Sequence, residues 1–139
     1  MKTKTLRKFQ LFWAVFIGLG AYWGSAMMFI DPSGETWGLD PVLPLLQRLP
    51  WSDFFFKDFI WSGVVLTLVN GVPNTISYAL IKTNHRYGNI SGLICGLILI
   101  MWIVFEFFIF GFNPLSDIYL IFGVLQILSS YALLKRSKE

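Results

Sequence analysis

Residues 88–110 have the sequence GNISGLICGLILIMWIVFEFFIF, an apolar run that contains one ionisable residue, Glu106. A run of about 20 apolar residues is long enough for a helix to cross a bilayer. Gly88, Gly92 and Gly96 recur every four residues, so they share one helical face and allow a neighbouring backbone to approach closely. Glu106 follows Gly88 by about five turns of ~3.6 residues and therefore lies on the same face. The run predicts a membrane helix whose glycines and charge both point into the protein.

The whole chain has the composition of an integral membrane protein. Of its 139 residues, 55% are hydrophobic and 14% are charged, and the mean hydropathy is +0.63. This length is enough for a single domain. The net charge of +3 does not indicate nucleic-acid binding, because the cations cluster at helix ends, where membrane proteins carry them.

Four apolar runs predict four membrane-spanning helices, at about residues 9–30, 59–81, 89–110 and 118–134. The last three are joined by short connections, so neighbouring spans are expected to run antiparallel. The one long connection, residues 31–58, contains a short amphipathic segment between Trp37 and Trp51, which predicts a helix lying in the membrane interface. The predicted fold is all-α, an antiparallel four-helix membrane bundle that forms one domain over residues 1–139.

The basic residues are concentrated on one side of this predicted bundle. Nine of the eleven Lys and Arg residues lie in the N-terminus, in the turn at residues 82–86 and in the C-terminal tail. The other two, Arg48 and Lys57, share the opposite side with six of the eight acidic residues. The positive-inside rule therefore predicts that both termini face the cytoplasm.

Small and polar residues on the second predicted span share one helical face: Gly63, Thr67, Asn70, Asn74 and Ser77. Lipid would penalise such a face, so we expect it to point into the bundle. Pro73 is expected to kink this span and to free a backbone carbonyl near that face. At about 1.5 Å per residue, Asn70 and Gln126 are expected near the membrane midplane and Glu106 near the outer interface. The candidate ligand-binding residues are Glu106, Tyr119, Asn70, Asn74 and Gln126.

Each of these candidates has a structural alternative. Glu106 is either a proton-binding or cation-binding carboxylate in a small cavity open to the outside, or a buried carboxylate that hydrogen-bonds Tyr119 or Ser25 and keeps the helices in register. For Asn70, Asn74 and Gln126 the alternative is interhelical hydrogen bonding, at about 0.6 kcal/mol per contact.

Two glycines on the first predicted span point to a second packing surface. Gly20 and Gly24 are turned away from Gly18, Tyr22 and Ser25. Small residues spaced by four allow close helix–helix contact in membranes. We therefore expect Gly20 and Gly24 to pack against another membrane protein or a second copy of the chain.

The sequence offers little for catalysis or metal binding. It has one cysteine, Cys95, and one histidine, His85, which excludes an intramolecular disulfide, bis-histidine haem ligation and a multi-histidine metal site. No phosphate-binding lysine loop, nucleophile elbow or zinc-protease motif occurs. Acids of the first loop, Asp31, Glu35 and Asp40, do not have the spacing of a calcium-binding EF-hand. We expect no catalytic residues, no metal and no cofactor.

A signal peptide cleaved near Ser25 is disfavoured, because the first apolar run is longer than the apolar region of a usual signal peptide.

Three segments together resemble small uncharacterised four-span bacterial membrane proteins: YWGSAMMFIDPSGETWGL at 22–39, LPWSDFFFKDFIWSGVVLTLVNGVPN at 49–74 and LIMWIVFEFFIFGF at 99–112. The architecture is also loosely similar to DoxX-like proteins. The resemblance implies a multi-pass protein of the bacterial cytoplasmic (inner) membrane. In such proteins the position of Glu106 often holds a neutral polar residue, which implies that an acid is not required there.

These features favour a non-enzymatic membrane protein that acts as an accessory or regulatory subunit through helix–helix contacts. The alternative is a binder or carrier of a small hydrophobic or lipid-like ligand, proton-coupled through Glu106, and a membrane-embedded enzyme is a second alternative. The expected partners are the lipid bilayer, another membrane protein or a second copy, and a lipid-like ligand; no nucleic-acid partner is expected.

Overall fold

A computed structural model describes residues 2–38, 41, 43–50, 52–55, 57–111 and 114–137, and this part of the chain contains helices and turns but no strand. The helices are α1 (Thr3–Ile30), a 3₁₀ turn (Glu35–Trp37), α2 (Leu43–Leu46), α3 (Ser52–Phe55), α4 (Ile60–Leu66), a π-helical segment (Thr67–Gly71), α5 (Val72–Lys82), α6 (Gly88–Phe110) and α7 (Pro114–Ser137).

Four helical stretches are long and apolar enough to cross a membrane: Thr3–Ile30, Ile60–Lys82, Gly88–Ile109 and Ser116–Arg136. They coincide with the four predicted spans, which confirms the all-α class and the four membrane-compatible helices. The first and last helices extend beyond the predicted spans, through residues 3–8 at the start of α1 and through residues 114–117 and 135–137 at the two ends of α7.

The distribution of side chains suits a membrane protein, because large apolar side chains are exposed on the outside and many polar ones are buried inside. Phe108 is 86% exposed, Ile30 is 73% exposed and Trp23 is 69% exposed. The largest fully buried side chains are Ile17, Gln10, Gln126, Asn70, Asn74, Ser25, Ser77 and Ser130. A water-soluble fold would bury the first kind of residue and expose the second. This arrangement suits a hydrocarbon solvent, in which buried polar groups bond one another.

Neighbouring helices pack in antiparallel pairs. The most extensive contact joins α6 to α7, while α1 lies between α7 on one side and α4 and α5 on the other. Along the α6–α7 pair, Glu106 contacts Ser116 near one end, whereas Gly92 lies against Ser130 nearer the other. The interior of the bundle has a small apolar cluster at Ile17, Leu99 and Ile103.

The row of glycines on α6 lies where backbones come closest. A Cβ atom at Gly88 would lie 3.2 Å from the Ile81 Cα atom at the end of α5. A Cβ atom at Gly96 would lie 3.1 Å from the backbone oxygen of Gly123 and 2.6 Å from a side-chain carbon of Ile127. Real Cβ atoms essentially never come within 3.0 Å of a neighbour, and distances of 3.0–3.4 Å are tighter than most real contacts. A side chain at either position would therefore require the facing helix to move.

The connection between α1 and α4 is a compact turn followed by short helical pieces. Asp31, the residue that follows α1, accepts hydrogen bonds from the Ser33 hydroxyl at 2.7 Å and the Thr36 amide at 2.8 Å. Hydrogen bonds from Thr36 and Ser33 lower the pKa of this exposed carboxyl to about 2. The predicted interfacial helix is represented by the single turn Leu43–Leu46, with Leu46 buried, and its location at an interface stays a prediction. Asp40 and Trp51 lie outside the described residues.

Candidate functional site

Three buried amide side chains meet in the middle of the bundle, and we call Asn70, Asn74 and Gln126 the amide layer. Asn74 is its centre: its Nδ2 donates to the Asn70 backbone oxygen at 2.7 Å, and its Oδ1 accepts from Gln126 Nε2 at 3.0 Å. All three side chains are at most 2% exposed. The layer therefore links the second span to α7 through a side-chain contact that excludes lipid.

The amide layer adjoins a break in regular helix geometry. In the π-helical segment, the Val72 amide donates to the Thr67 oxygen, five residues back instead of four. Pro73 has no amide hydrogen, so the regular α-helical register cannot continue through it. Side chains supply extra donors here: Asn74 bonds the Asn70 oxygen, and the Thr75 hydroxyl bonds the Gly71 oxygen at 3.0 Å. π-helical turns of this kind occur frequently at functional sites.

Not every polar atom of the amide layer has a protein partner. Asn70 Nδ2, Asn70 Oδ1 and Gln126 Oε1 are buried and make no hydrogen bond within the described part of the chain. An unpaired buried polar atom is costly and therefore rare in folded proteins. The layer thus has donor and acceptor capacity left over for a further group.

A second set of polar side chains lies farther towards the end of the bundle that carries the N-terminus of α1. Gln10 Nε2 donates to the Ser130 hydroxyl at 2.9 Å, and the Ser77 and Ser91 hydroxyls are 2.9 Å apart. Gln10 was not among the predicted site residues, because it lies at the start of an apolar run. Helical periodicity could have found it, since it shares the buried face of α1 with Ala14, Ile17, Gly18, Ala21 and Ser25.

Glu106 is half-buried at the opposite end and has partners that differ from the predicted ones. Its two carboxylate oxygens accept from Trp102 Nε1 at 3.0 Å and from the Ser116 hydroxyl at 2.6 Å. The expected partners, Tyr119 and Ser25, are engaged elsewhere. The Ser25 hydroxyl donates to the Gly63 oxygen at 2.9 Å, and the Tyr119 hydroxyl lies beside Gly20. Glu106 and Tyr119 therefore do not join the amide layer in one site.

Glu106→Gln is expected to leave the fold intact, with a change in unfolding free energy below about 1 kcal/mol. The amide oxygen still accepts from Trp102, and the Ser116 hydroxyl can rotate to accept from the new amide. Glu106→Leu removes both acceptors and is expected to cost about 2 kcal/mol. Thermal unfolding of both variants in mild detergent checks this difference. Aggregation of Glu106→Gln would mean that the charge itself is structural.

Gly20 and Gly24 are not the bare packing surface that the sequence predicts. A Cβ atom at Gly20 would lie 2.9 Å from the Tyr119 hydroxyl, and one at Gly24 would lie 3.2 Å from Leu66 Cδ2. Side chains of the same chain therefore cover part of both glycines. Gly20 is also part of the floor of an open groove between α1 and Tyr119 of α7.

This groove has a volume of about 710 Å³ and runs along α1. Its lining is apolar apart from two tyrosine hydroxyls and the Trp23 indole N–H, and comprises Phe12, Val15, Phe16, Leu19, Gly20, Tyr22, Trp23, Ala26 and Tyr119. A smaller recess of about 150 Å³ lies on the other side of α1, against Asn74, Thr75 and Tyr78 of α5. Val15, Leu19 and Tyr22 border both, so they form a ridge with a groove on each side.

The described residues contain no group of three or more His, Cys, Asp or Glu side chains placed to hold a metal ion. What they contain is a set of buried hydrogen-bonding groups and a ridged apolar surface on α1. No protein-family model, curated protein or solved structure matched this chain, so its candidate sites are defined by their geometry.

Proposed function

We propose that this chain is a non-enzymatic subunit located in the bacterial cytoplasmic membrane. Its helix α1 binds a transmembrane helix of another protein. The ridge of Val15, Leu19 and Tyr22 between two grooves is the single observation that carries this proposal. Helices pack by inserting a ridge of side chains into a groove of the partner. A ridge with a groove on each side provides both parts of that contact.

The chemistry of this surface favours a helix in lipid as its occupant. The residues lining the larger groove include no charged side chain, so a partner segment buried in hydrocarbon can lie there without pairing a charge. Leu19 at the crest of the ridge is 63% exposed. Beside it, the Tyr22 and Thr75 hydroxyls are 2.7 Å apart in an exposed hydrogen bond. Hydroxyl groups at such a position can bond a partner helix, as they do in membrane helix pairs.

The distribution of charge supports an orientation with both termini in the cytoplasm. Arg7 donates to the Ile81 oxygen at 2.8 Å, and Arg136 donates to the Thr3 hydroxyl at 3.2 Å. The N-terminal, 82–86 and C-terminal basic segments therefore belong to one end of the bundle, as the positive-inside rule requires of the cytoplasmic end. A reporter fused after Gly34 that is active only in the cytoplasm would contradict this orientation.

Filling the larger groove tests the proposal. A photo-crosslinking residue at position 19 in cells is expected to give one protein adduct, and Ala26→Phe is expected to reduce it at least tenfold. Ala79→Phe is the matched control, since Ala79 is an exposed alanine on α5 that lines neither groove. A crosslinker at Leu97, which is 48% exposed on α6, should give no such adduct. Equal adducts at positions 19 and 97, or an adduct unchanged by Ala26→Phe, would contradict the proposal.

A lipid-like ligand is the second candidate occupant, and the groove volume is the observation that favours it. Small-molecule sites have volumes of about 300–1,000 Å³, and the groove lies within that range at about 710 Å³. One ligand would fill one groove and leave the recess on the other side of the ridge unused, which is why a helix is preferred. Native mass spectrometry separates the two: a retained lipid that is lost in Ala26→Phe but kept in Ala79→Phe would favour the ligand.

A further inference from the structure

The amide layer has three buried polar atoms without a protein partner, and these atoms point to a small bound molecule. Asn70 is 2% exposed and Gln126 is 0% exposed. Asn70 Nδ2, Asn70 Oδ1 and Gln126 Oε1 make no hydrogen bond to the described residues. The Asn70 backbone oxygen and the Gln126 side chain both bond the Asn74 side chain, so Asn70 and Gln126 belong to one region of the bundle. We propose that this region binds an internal water molecule shared by Asn70 and Gln126.

The types of unpaired atom determine the chemical class of the bound molecule. Two of them are carbonyl oxygens, which need a donor, and one is an amide nitrogen, whose hydrogens need an acceptor. A cation would satisfy only the oxygens, and an anion would satisfy only the amide hydrogens. Water donates twice and accepts twice, so it satisfies both kinds of atom. Buried waters typically make about three hydrogen bonds to such otherwise unpaired groups.

The surroundings also exclude a charged occupant. Within the described spans, the amide layer is flanked by neutral side chains, and the nearest acid along its neighbouring helix, Glu106, is bonded to Trp102 and Ser116. An ion without a counter-charge in a low-dielectric interior is strongly disfavoured. A neutral molecule avoids this cost, and its size must be small because the three amide side chains are at most 2% exposed.

Asn74 makes hydrogen bonds beside the π-helical segment, but none of them reaches the Asn70 side chain. Pro73 interrupts the regular backbone bonding, and Asn74 uses its amide nitrogen to bond the Asn70 oxygen. The Asn74 Oδ1 accepts from Gln126 Nε2, so the bonds of Asn74 leave both polar atoms of the Asn70 side chain unpaired. This inference is independent of the proposed partner helix, because it concerns atoms inside the bundle.

The direction in which Asn70→Leu shifts the melting temperature tests the proposal. Leucine has a similar size but no polar atoms. If water bridges the two amides, Asn70→Leu removes half of its site and leaves Gln126 Oε1 unpaired, so the melting temperature is expected to fall by about 4 °C or more. If the site is dry, the same change removes two unpaired buried atoms and the melting temperature should rise, which would overturn the proposal.

A direct measurement keeps the inference testable even if the variant does not fold. In wild-type protein with ¹⁵N-labelled glutamine, in deuterated nanodiscs, the Gln126 side-chain amide protons are expected to show a cross-relaxation peak at the water frequency. The Asn70→Leu variant is expected to lose that peak, while the Gln47 amide, which is exposed outside the spans, serves as a solvent-exchange control in both proteins. Absence of the Gln126 peak from the wild-type spectrum would overturn the proposal.

Discussion

Replacing Gly96 with valine is expected to lower the free energy of unfolding by about 3 kcal/mol, the upper part of the range for overpacked cores. The first added carbon would lie 2.6 Å from Ile127 Cγ1 and 3.1 Å from both the Gly123 oxygen and the Ile127 nitrogen. A flexible side chain can move away from such a contact, but a backbone atom moves only with its helix. Valine at position 96 therefore has to separate α6 from α7, the most extensive helix pair of the bundle.

Unfolding of purified protein by denaturing detergent in mixed micelles measures this effect. Leu97→Val is the matched control, because Leu97 is the next residue and its side chain is 48% exposed. It is expected to change stability by no more than about 0.5 kcal/mol. If Gly96→Val and Leu97→Val have the same free energy of unfolding, then α6 and α7 do not depend on the glycine for their close approach.

The sequence was enough to predict the helices that build this contact. A membrane span needs only about 20 apolar residues, which is a local property of the chain. The position of Gly96 on an interior face follows in the same way from the regular rotation of about 100° per residue. Such local rules succeed because a segment long and apolar enough to cross a membrane has to satisfy its own backbone hydrogen bonds, which a helix does within one segment.

Partners across helices were harder to predict, because they depend on how far one helix slides along another. The sequence led us to expect Tyr119 beside Glu106, whereas the carboxylate bonds Ser116, three residues earlier on α7. A helix rises only about 1.5 Å per residue, so a small axial shift is enough to exchange one partner for another. The predicted start of the last span at residue 118 also placed Ser116 outside the helix. Trp102 could have been predicted, since it lies four residues before Glu106 on the same helix.

The π-helical segment shows a different limit of sequence reasoning. Pro73 predicts a disturbance in the second span, because it cannot donate a hydrogen bond. It does not determine whether the helix bends or widens by one residue. Widening is observed at Thr67–Gly71, where the side chains of Asn74 and Thr75 bond backbone oxygens of that segment. Gln126 of α7 also bonds Asn74 from another helix, a contact that the sequence of the second span alone does not contain.

Asn74→Leu is expected to lower the free energy of unfolding by about 3 kcal/mol, several times the average for one polar contact in a membrane bundle. The change removes the donor to the Asn70 oxygen and the acceptor for Gln126 Nε2. Each group left behind is buried and loses its partner, at about 1–3 kcal/mol apiece. Thr75→Val is the comparison, because Thr75 is an exposed neighbour that also bonds a backbone oxygen, and its loss should cost below about 1 kcal/mol.

The double variant Asn74→Leu/Gln126→Leu separates the bond from the residues that make it. Once Asn74 is gone, replacing Gln126 removes a buried amide whose Nε2 no longer has the Asn74 Oδ1 acceptor. The second change is therefore expected to cost less than Gln126→Leu does in the wild-type background, by about 1 kcal/mol. Unfolding of the wild type, the two single variants and the double variant in mixed micelles measures this coupling free energy. Additive effects would mean that Asn74 and Gln126 stabilise the bundle independently, and the amide layer would then not be the element that joins the second span to α7.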